Sequence, residues 1–308
     1  MRSDIPRPGP RDPEELEARG EAATAEISPA TRMGAVHLTV SDLERSLAFW
    51  ERAVGLAARE RGPGRAALGA GGHELVVLVE EPGARPARGF TGLYHVALLL
   101  PERADLARWL AHAAREGVPL TGASDHFVSE ALYLDDPDGH GIEIYWDRPR
   151  EVWEGQVAAR MTTLPLDVDG LLGELGEPRT APFDGLPDGT TMGHVHLKVA
   201  DVAQAVAFYR DGLGFGLMAS LGAQAAFLAA GGYHHHLGAN AWESAGATAP
   251  PAGTAALRHA TIVLPDAAER RRALDRLAAH GHAARDGGGD PVVTDPSGNV
   301  LALAVAAG

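Results

Sequence analysis

Apolar and polar positions alternate in short runs along this chain, and the runs recur. Val36, Leu38 and Val40 alternate with His37 and Thr39, the pattern of a half-buried strand. Ser41 and Asp42 then open an amphipathic stretch, as Pro101 does after the apolar series Val96, Leu98 and Leu100. Glycine ends each helix, and short strands punctuated by Gly and Pro follow. Residues 33–56 and 192–215 are identical at 10 of 24 positions, including His37 and His196. A second pair of similar segments begins at residues 93 and 257, where His95 matches His259 and Pro101 matches Pro265. The repeat predicts an α+β fold of four βαβββ modules, over residues 33–82, 92–147, 192–243 and 256–305. Paired edge to edge, they would make two half-closed, eight-stranded barrels with helices outside. The expected organisation is a disordered tail (1–32), a first domain (33–147), a linker (148–191) with one short helix over 166–175, and a second domain (192–305).

Composition narrows the chemistry. A net charge of −14 over 308 residues argues against a nucleic-acid partner, because phosphate binding needs a basic face. No apolar run approaches a membrane span, and residues 1–32 have no apolar core of a secretory signal. The expectation is a cytoplasmic protein acting on small molecules, with homo-oligomerisation left open. The chain has no cysteine, so a metal here would use His, Asp or Glu, as iron, manganese and zinc accept.

Strand parity separates helix-side from cavity-side residues. His37, His95 and His196 fall opposite the apolar set of their strands, and His259 takes the same place in the fourth module. In segment 122–147, Asp136-Pro137-Asp138-Gly139 marks a turn, and Tyr133, Glu143 and Tyr145 share the face opposite Leu132, Leu134, Ile142 and Ile144. A carboxylate inside a barrel needs a cation, a proton or strong donors, and a metal held by two histidines is the most economical partner. The fourth module keeps the turn but has Ala302 where Glu143 stands, so the second module carries the chemistry. In GGYHHHLGANAW, His234, His236 and Asn240 take the inward parity, with Trp242 nearby. Trp146, Asp147 and Arg148 read as structural.

These segments resemble the vicinal-oxygen-chelate superfamily, and within it the two-domain bacterial catechol 2,3-dioxygenase-like proteins. The likeness spans about residues 33–305 and is most specific in LYHVALLLPERADL, MGHVHLKVAD, GGYHHHLGANAW and SDHFVSEALYLDDPDGHGIEIYWDRPR. The last contains His126, Leu132-Tyr133, Asp136-Pro137 and Glu143 in the spacing of an extradiol dioxygenase signature, with Ser124 departing from it. The resemblance implies two half-closed barrels and a facial triad of two His and one carboxylate holding Fe(II), less often Mn(II). His95 and Glu143 would be two of the ligands. The third is His196 if modules 2 and 3 pair, or His37 if modules 1 and 2 do; His196 is favoured because module 3 also brings the 234–236 cluster, whereas module 1 offers only His73. The implied reaction is ring cleavage of a small catechol-type aromatic by O₂. His236 or His234 would act as base and acid, Tyr133 would orient substrate oxygen, His126 would line the pocket, and Asn240 and Trp242 would form its wall. Two rivals are a glyoxalase-like lyase or isomerase, which often uses two carboxylates, and a metal-free sequestering protein with an apolar groove.

Overall fold

In a computed structural model, residues 26–176 and 182–307 are described. The expected tail falls mostly outside them, but residues from Glu26 onward are packed. Glu26 and Ile27 donate backbone hydrogen bonds to the Gly214 carbonyl, and the Ile27 side chain is buried.

Each repeat forms the predicted strand, helix and three further strands. Module 1 comprises β1 (Arg32–Val40), helix α1 (Leu43–Phe49), β2 (Ala57–Gly62), β3 (Arg65–Ala70) and β4 (His73–Glu80). Module 2 comprises β5 (Gly92–Leu100), α2 (Arg103–Glu116), β6 (Gly122–Asp125), β7 (Ser129–Asp135) and β8 (Gly141–Asp147). Module 3 has β9 (Thr191–Lys198), α3 (Val202–Val206), β10 (Gly216–Ser220), β11 (Ala225–Ala229) and β12 (Leu237–Asn240). Module 4 has β13 (Leu257–Leu264), α4 (Ala267–Ala279), β14 (Arg285–Asp286), β15 (Pro291–Thr294) and β16 (Val300–Val305). Asp42, Asp201 and Asp266 cap α1, α3 and α4 by accepting from the third backbone N–H, which satisfies a donor the helix cannot.

The modules do not pair in sequence order. One sheet runs β14-β15-β16-β13-β1-β4-β3-β2 and joins modules 4 and 1. The other runs β6-β7-β8-β5-β9-β12-β11-β10 and joins modules 2 and 3 through antiparallel β5 and β9. The short segment Leu164–Pro165 extends its β6 edge, making nine strands where eight were expected. Sequence neighbours are instead tied by their turns. Asp136 and Asp295 open matching Asp-Pro-x-Gly turns and accept from backbone N–H groups within them. Trp50 of module 1 donates to Asp136, and Tyr209 of module 3 donates to Asp295. Asp138 accepts from the Ser41 N–H and hydroxyl and pairs with Arg45.

The apolar parity set packs outward onto the helices. Val36, Leu38, Val96, Leu98, Val195, Leu197, Ile142 and Ile144 are essentially without solvent contact, together with Trp50 and Trp109. The linker forms short helices at Arg150–Trp153 and Val157–Arg160, and the expected one at Val168–Leu172, whose Leu171 is buried. Part of the linker, residues 177–181, lies outside the described residues. Among the described residues no helix is long and apolar enough to cross a membrane.

Candidate metal centre

The sheet of modules 2 and 3 turns one carboxylate and several histidines toward its concave face. Backbone register places them. Tyr133 on β7, Glu143 on β8, Ala97 on β5 and His194 on β9 lie side by side across four strands. The next row holds Asp135, Gly141, His95, His196 and Gly238. With strands about 4.8 Å apart, Glu143 and His194 stand on either side of Ala97, whose methyl group leaves the space where their side chains meet.

There Glu143 Oε2 lies 2.9 Å from His95 Nε2 and 3.0 Å from His194 Nε2, and the two nitrogens are 3.3 Å apart. Among the described residues this is the one cluster of three or more such groups able to share a metal ion. Glu143 is only 2% exposed. Burial alone would raise its carboxyl, but His194 and His95 outweigh that and hold it well below the usual carboxylate range. Burial keeps His194 below the usual imidazole range. The group therefore stands as an ionised carboxylate beside a neutral imidazole, the protonation states that metal binding needs. Three bonds of about 2.1 Å meeting at right angles separate their donor atoms by about 3.0 Å, so this triangle fits one face of an octahedron.

A second constellation adjoins the first. His234 Nε2 lies 2.8 Å from Asp147 Oδ1, and His234 Nδ1 lies 2.8 Å from His235 Nδ1. An N–H facing the carboxylate makes Nδ1 of His234 an acceptor, so His235 donates from Nδ1 and its Nε2 carries no proton; burial, then His194 and His234, hold His235 well below the usual imidazole range. The His235 ring packs on His194 with centroids 4.0 Å apart. Tyr145 and Tyr233 hydroxyls are 2.9 Å apart, and Tyr233 donates to Asp147 at 2.7 Å. On the opposite wall, His126 Nδ1 is 2.8 Å from the Thr162 carbonyl, which places its proton there; Nε2 then accepts from the Tyr133 hydroxyl at 2.7 Å. Burial, then Glu143, raises Tyr133 well above the usual phenol range, so it keeps its proton. His95, Glu143, His194, His235, Tyr133 and His126 line a cavity of about 740 Å³, together with Tyr94, Phe227, Trp242 and Met161.

The family model described as Glyoxalase/Bleomycin resistance protein/Dioxygenase superfamily matches residues 32–144 and 191–303. The chain belongs to this superfamily. A catechol-2,3-dioxygenase of Bacillus subtilis (strain 168) is 41% identical over 276 residues, covering 88% of this chain and 95% of that one. Among solved structures, a provisionally assigned dioxygenase of Bacillus subtilis subsp. subtilis str. 168 aligns with TM-score 0.61 at 17% identity, over 92% of this chain and 86% of that one. Glyoxalase I from Zea mays aligns with TM-score 0.53 at 17% identity, over 89% and 92% of the two chains. At such identities the two structures support the superfamily fold.

The sequence-derived residues fall into place unevenly on this superfamily scaffold. His95, Glu143, Tyr133 and His126 all line the cavity. His196 does not join the triangle. It points to the same face as His194 but one pleat repeat further along, its ring lying over Gly238, where a Cβ would come within 2.7 Å of Cγ. Tyr94, Phe227 and Trp242 surround it, and burial with His95 holds it well below the usual imidazole range. His37 lies in the other sheet, stacked on His259 with centroids 3.9 Å apart. His234 and His236 do not line the cavity; His235 does. The regular strand begins only at Leu237, so strand parity does not extend back through 234–236. His236 Nδ1 instead accepts from the Ala230 N–H. Trp242 lines the cavity, whereas Asn240 is fully buried behind it with no partner for its amide. Asp147, read as structural, is the anchor of His234. His194 was detectable: His95-Val96-x-Leu98 and His194-Val195-x-Leu197 share one pattern, which equates His194, not His196, with His95.

Proposed function

We propose that this chain is an extradiol dioxygenase that holds Fe(II) through His95, Glu143 and His194 and cleaves a catechol-type aromatic with O₂. The triangle of one ionised carboxylate and two imidazoles at mutual distances of 2.9–3.3 Å carries the reading. The similarity to a catechol-2,3-dioxygenase over most of both chains supports it. A lone carboxylate in the cluster separates the site from a four-ligand set with two. The cavity also has room for a substituted ring.

A divalent metal would be held by His95, Glu143 and His194 and would supply Lewis acidity to the substrate hydroxyls. His235 Nε2, left without a proton because Nδ1 donates to His234, and kept neutral by burial, takes the proton of a substrate hydroxyl and holds it for return to the product. Tyr133 keeps its proton and, oriented by His126, presents its oxygen beside Glu143, where it positions a substrate oxygen. Tyr94, Phe227 and Trp242 exclude water and offer flat surfaces to an aromatic ring.

Anaerobic loading with Fe(II), followed by catechol and air, tests the reading. A yellow ring-opened product is expected with the loaded chain and none with the metal-free chain. Parallel loading with Mn(II) decides between the two metals. Failure of any loaded form to consume O₂ with catechols would refute the dioxygenase.

A further inference from the structure

Lys198 sits four residues beyond His194 on β9, at the mouth of the same cavity. At about 3.3 Å per residue the two positions are roughly 13 Å apart along the strand. Its side chain is half-buried, yet its ammonium meets only the Ala87 carbonyl, at 3.5 Å, and forms no ion pair among the described residues. Lysine is strongly hydrated, so withdrawing it from water without a counter-ion is costly. Two carboxylates, Asp135 and Glu243, also line the mouth and attract it, but both are exposed, where water weakens the attraction. Arg88, also at the mouth, brings a second positive charge without an ion pair among the described residues.

The neighbouring wall is short of partners too. Lys198 pairs in register with Asn240, whose buried amide is unsatisfied at both nitrogen and oxygen. His196, two residues from Lys198 on the same face, has a buried Nε2 with no partner. His196 lines the cavity, so a polar ligand group can complete its Nε2, whereas Asn240 lies buried behind that wall.

We propose that Lys198 is a specificity-determining residue that recognises a carboxylate carried on a side chain of the aromatic substrate. The inference rests on the ring-cleaving reading of the site for the ring, but not for the charge. The distance from the triad places the anion on a short side chain, directed toward Lys198 and Arg88 at the mouth, with the ring beside the Tyr94–Trp242 pair.

Three probes with one ring and different substituents test this: 3,4-dihydroxyphenylacetate, 4-methylcatechol and 3,4-dihydroxyphenethylamine. Their binding to the full chain is measured anaerobically by quenching of tryptophan fluorescence, which does not require turnover, and their KM values are measured separately. The carboxylate probe is expected to bind about tenfold more tightly than the methyl probe, and the amine more weakly than either. In K198M the carboxylate preference should fall to about parity, and in K198R it should persist. Equal binding of all three probes, tighter binding of the amine, or a preference unchanged in K198M would overturn the proposal. Charge-selective binding without turnover would count against the dioxygenase reading while leaving the role of Lys198 standing.

Discussion

Replacing His194 by alanine removes one corner of the triangle and leaves Glu143 with a single imidazole partner, His95. Four-ligand zinc sites gather about 10–16 kcal/mol, or roughly 2.5–4 kcal/mol per ligand. At about 1.4 kcal/mol per decade, H194A should weaken metal affinity by roughly 10²–10³-fold. H196A provides the contrast, because His196 contacts the His95 ring edge-on at 5.0 Å but lies outside the triangle. A side chain that only supports a ligand contributes about tenfold to a hundredfold, and H196A should lie near the lower figure. The assay is anaerobic competition for Fe(II) against a chromophoric chelator, with retained metal measured after dialysis and the fold checked by circular dichroism. Retention of metal by H194A together with its loss in H196A would refute the assignment, and with it the equivalence of His194 and His95.

The three consecutive histidines give a second contrast. H235A should lower kcat by about 10²–10⁴-fold while retaining its metal, and H234A should lower it less, because His234 acts through His235; metal analysis and steady-state ring cleavage check both. A third prediction concerns stability. Burial raises the Asp138 carboxyl, but hydrogen bonds from Ser41 and the charge of Arg45 outweigh it, and the net shift is downward. A carboxyl lowered by folding stabilises the protein above its unfolded value, near 3.9, and loses that contribution as pH falls through the folded value. D138N should therefore cost about 1–3 kcal/mol at pH 6, with the gap from the parent closing below about pH 4; urea midpoints measured from pH 3 to pH 6 give the comparison.

The modules were legible because their determinants are local. Alternating apolar residues and a glycine stop recur four times and an Asp cap three times, with Glu102 at that place in the second module, and each places its own strand or helix without reference to the rest of the chain. Glu143 was legible for a related reason. A carboxylate between Ile142 and Ile144 has no inexpensive place in a sheet, and Ala302 at the equivalent turn marks the difference between the two copies. Module pairing was harder to read, since the β5–β9 contact joins residues about one hundred positions apart and no local pattern encodes it.

The choice between His194 and His196 turned on a residue that carries no chemistry. Both histidines have the same parity, so the alternation of β9 cannot separate them. What separates them is the strand alongside. His194 lies next to Ala97, whose small side chain opens a space across which Glu143 can reach, while His196 lies next to His95 and between it and Gly238. Ala97 therefore decides which histidine reaches Glu143, and a larger residue there would close the space in which Glu143 and His194 meet. The same reasoning explains His235: where the backbone leaves the regular strand before Leu237, alternation no longer tells which side chain turns inward, and the contact between Asp147 and His234 decides it instead. Where a strand is regular, its own sequence tells which face a side chain takes; which of two side chains on that face reaches the reacting centre is decided by the emptiness of the neighbouring strand.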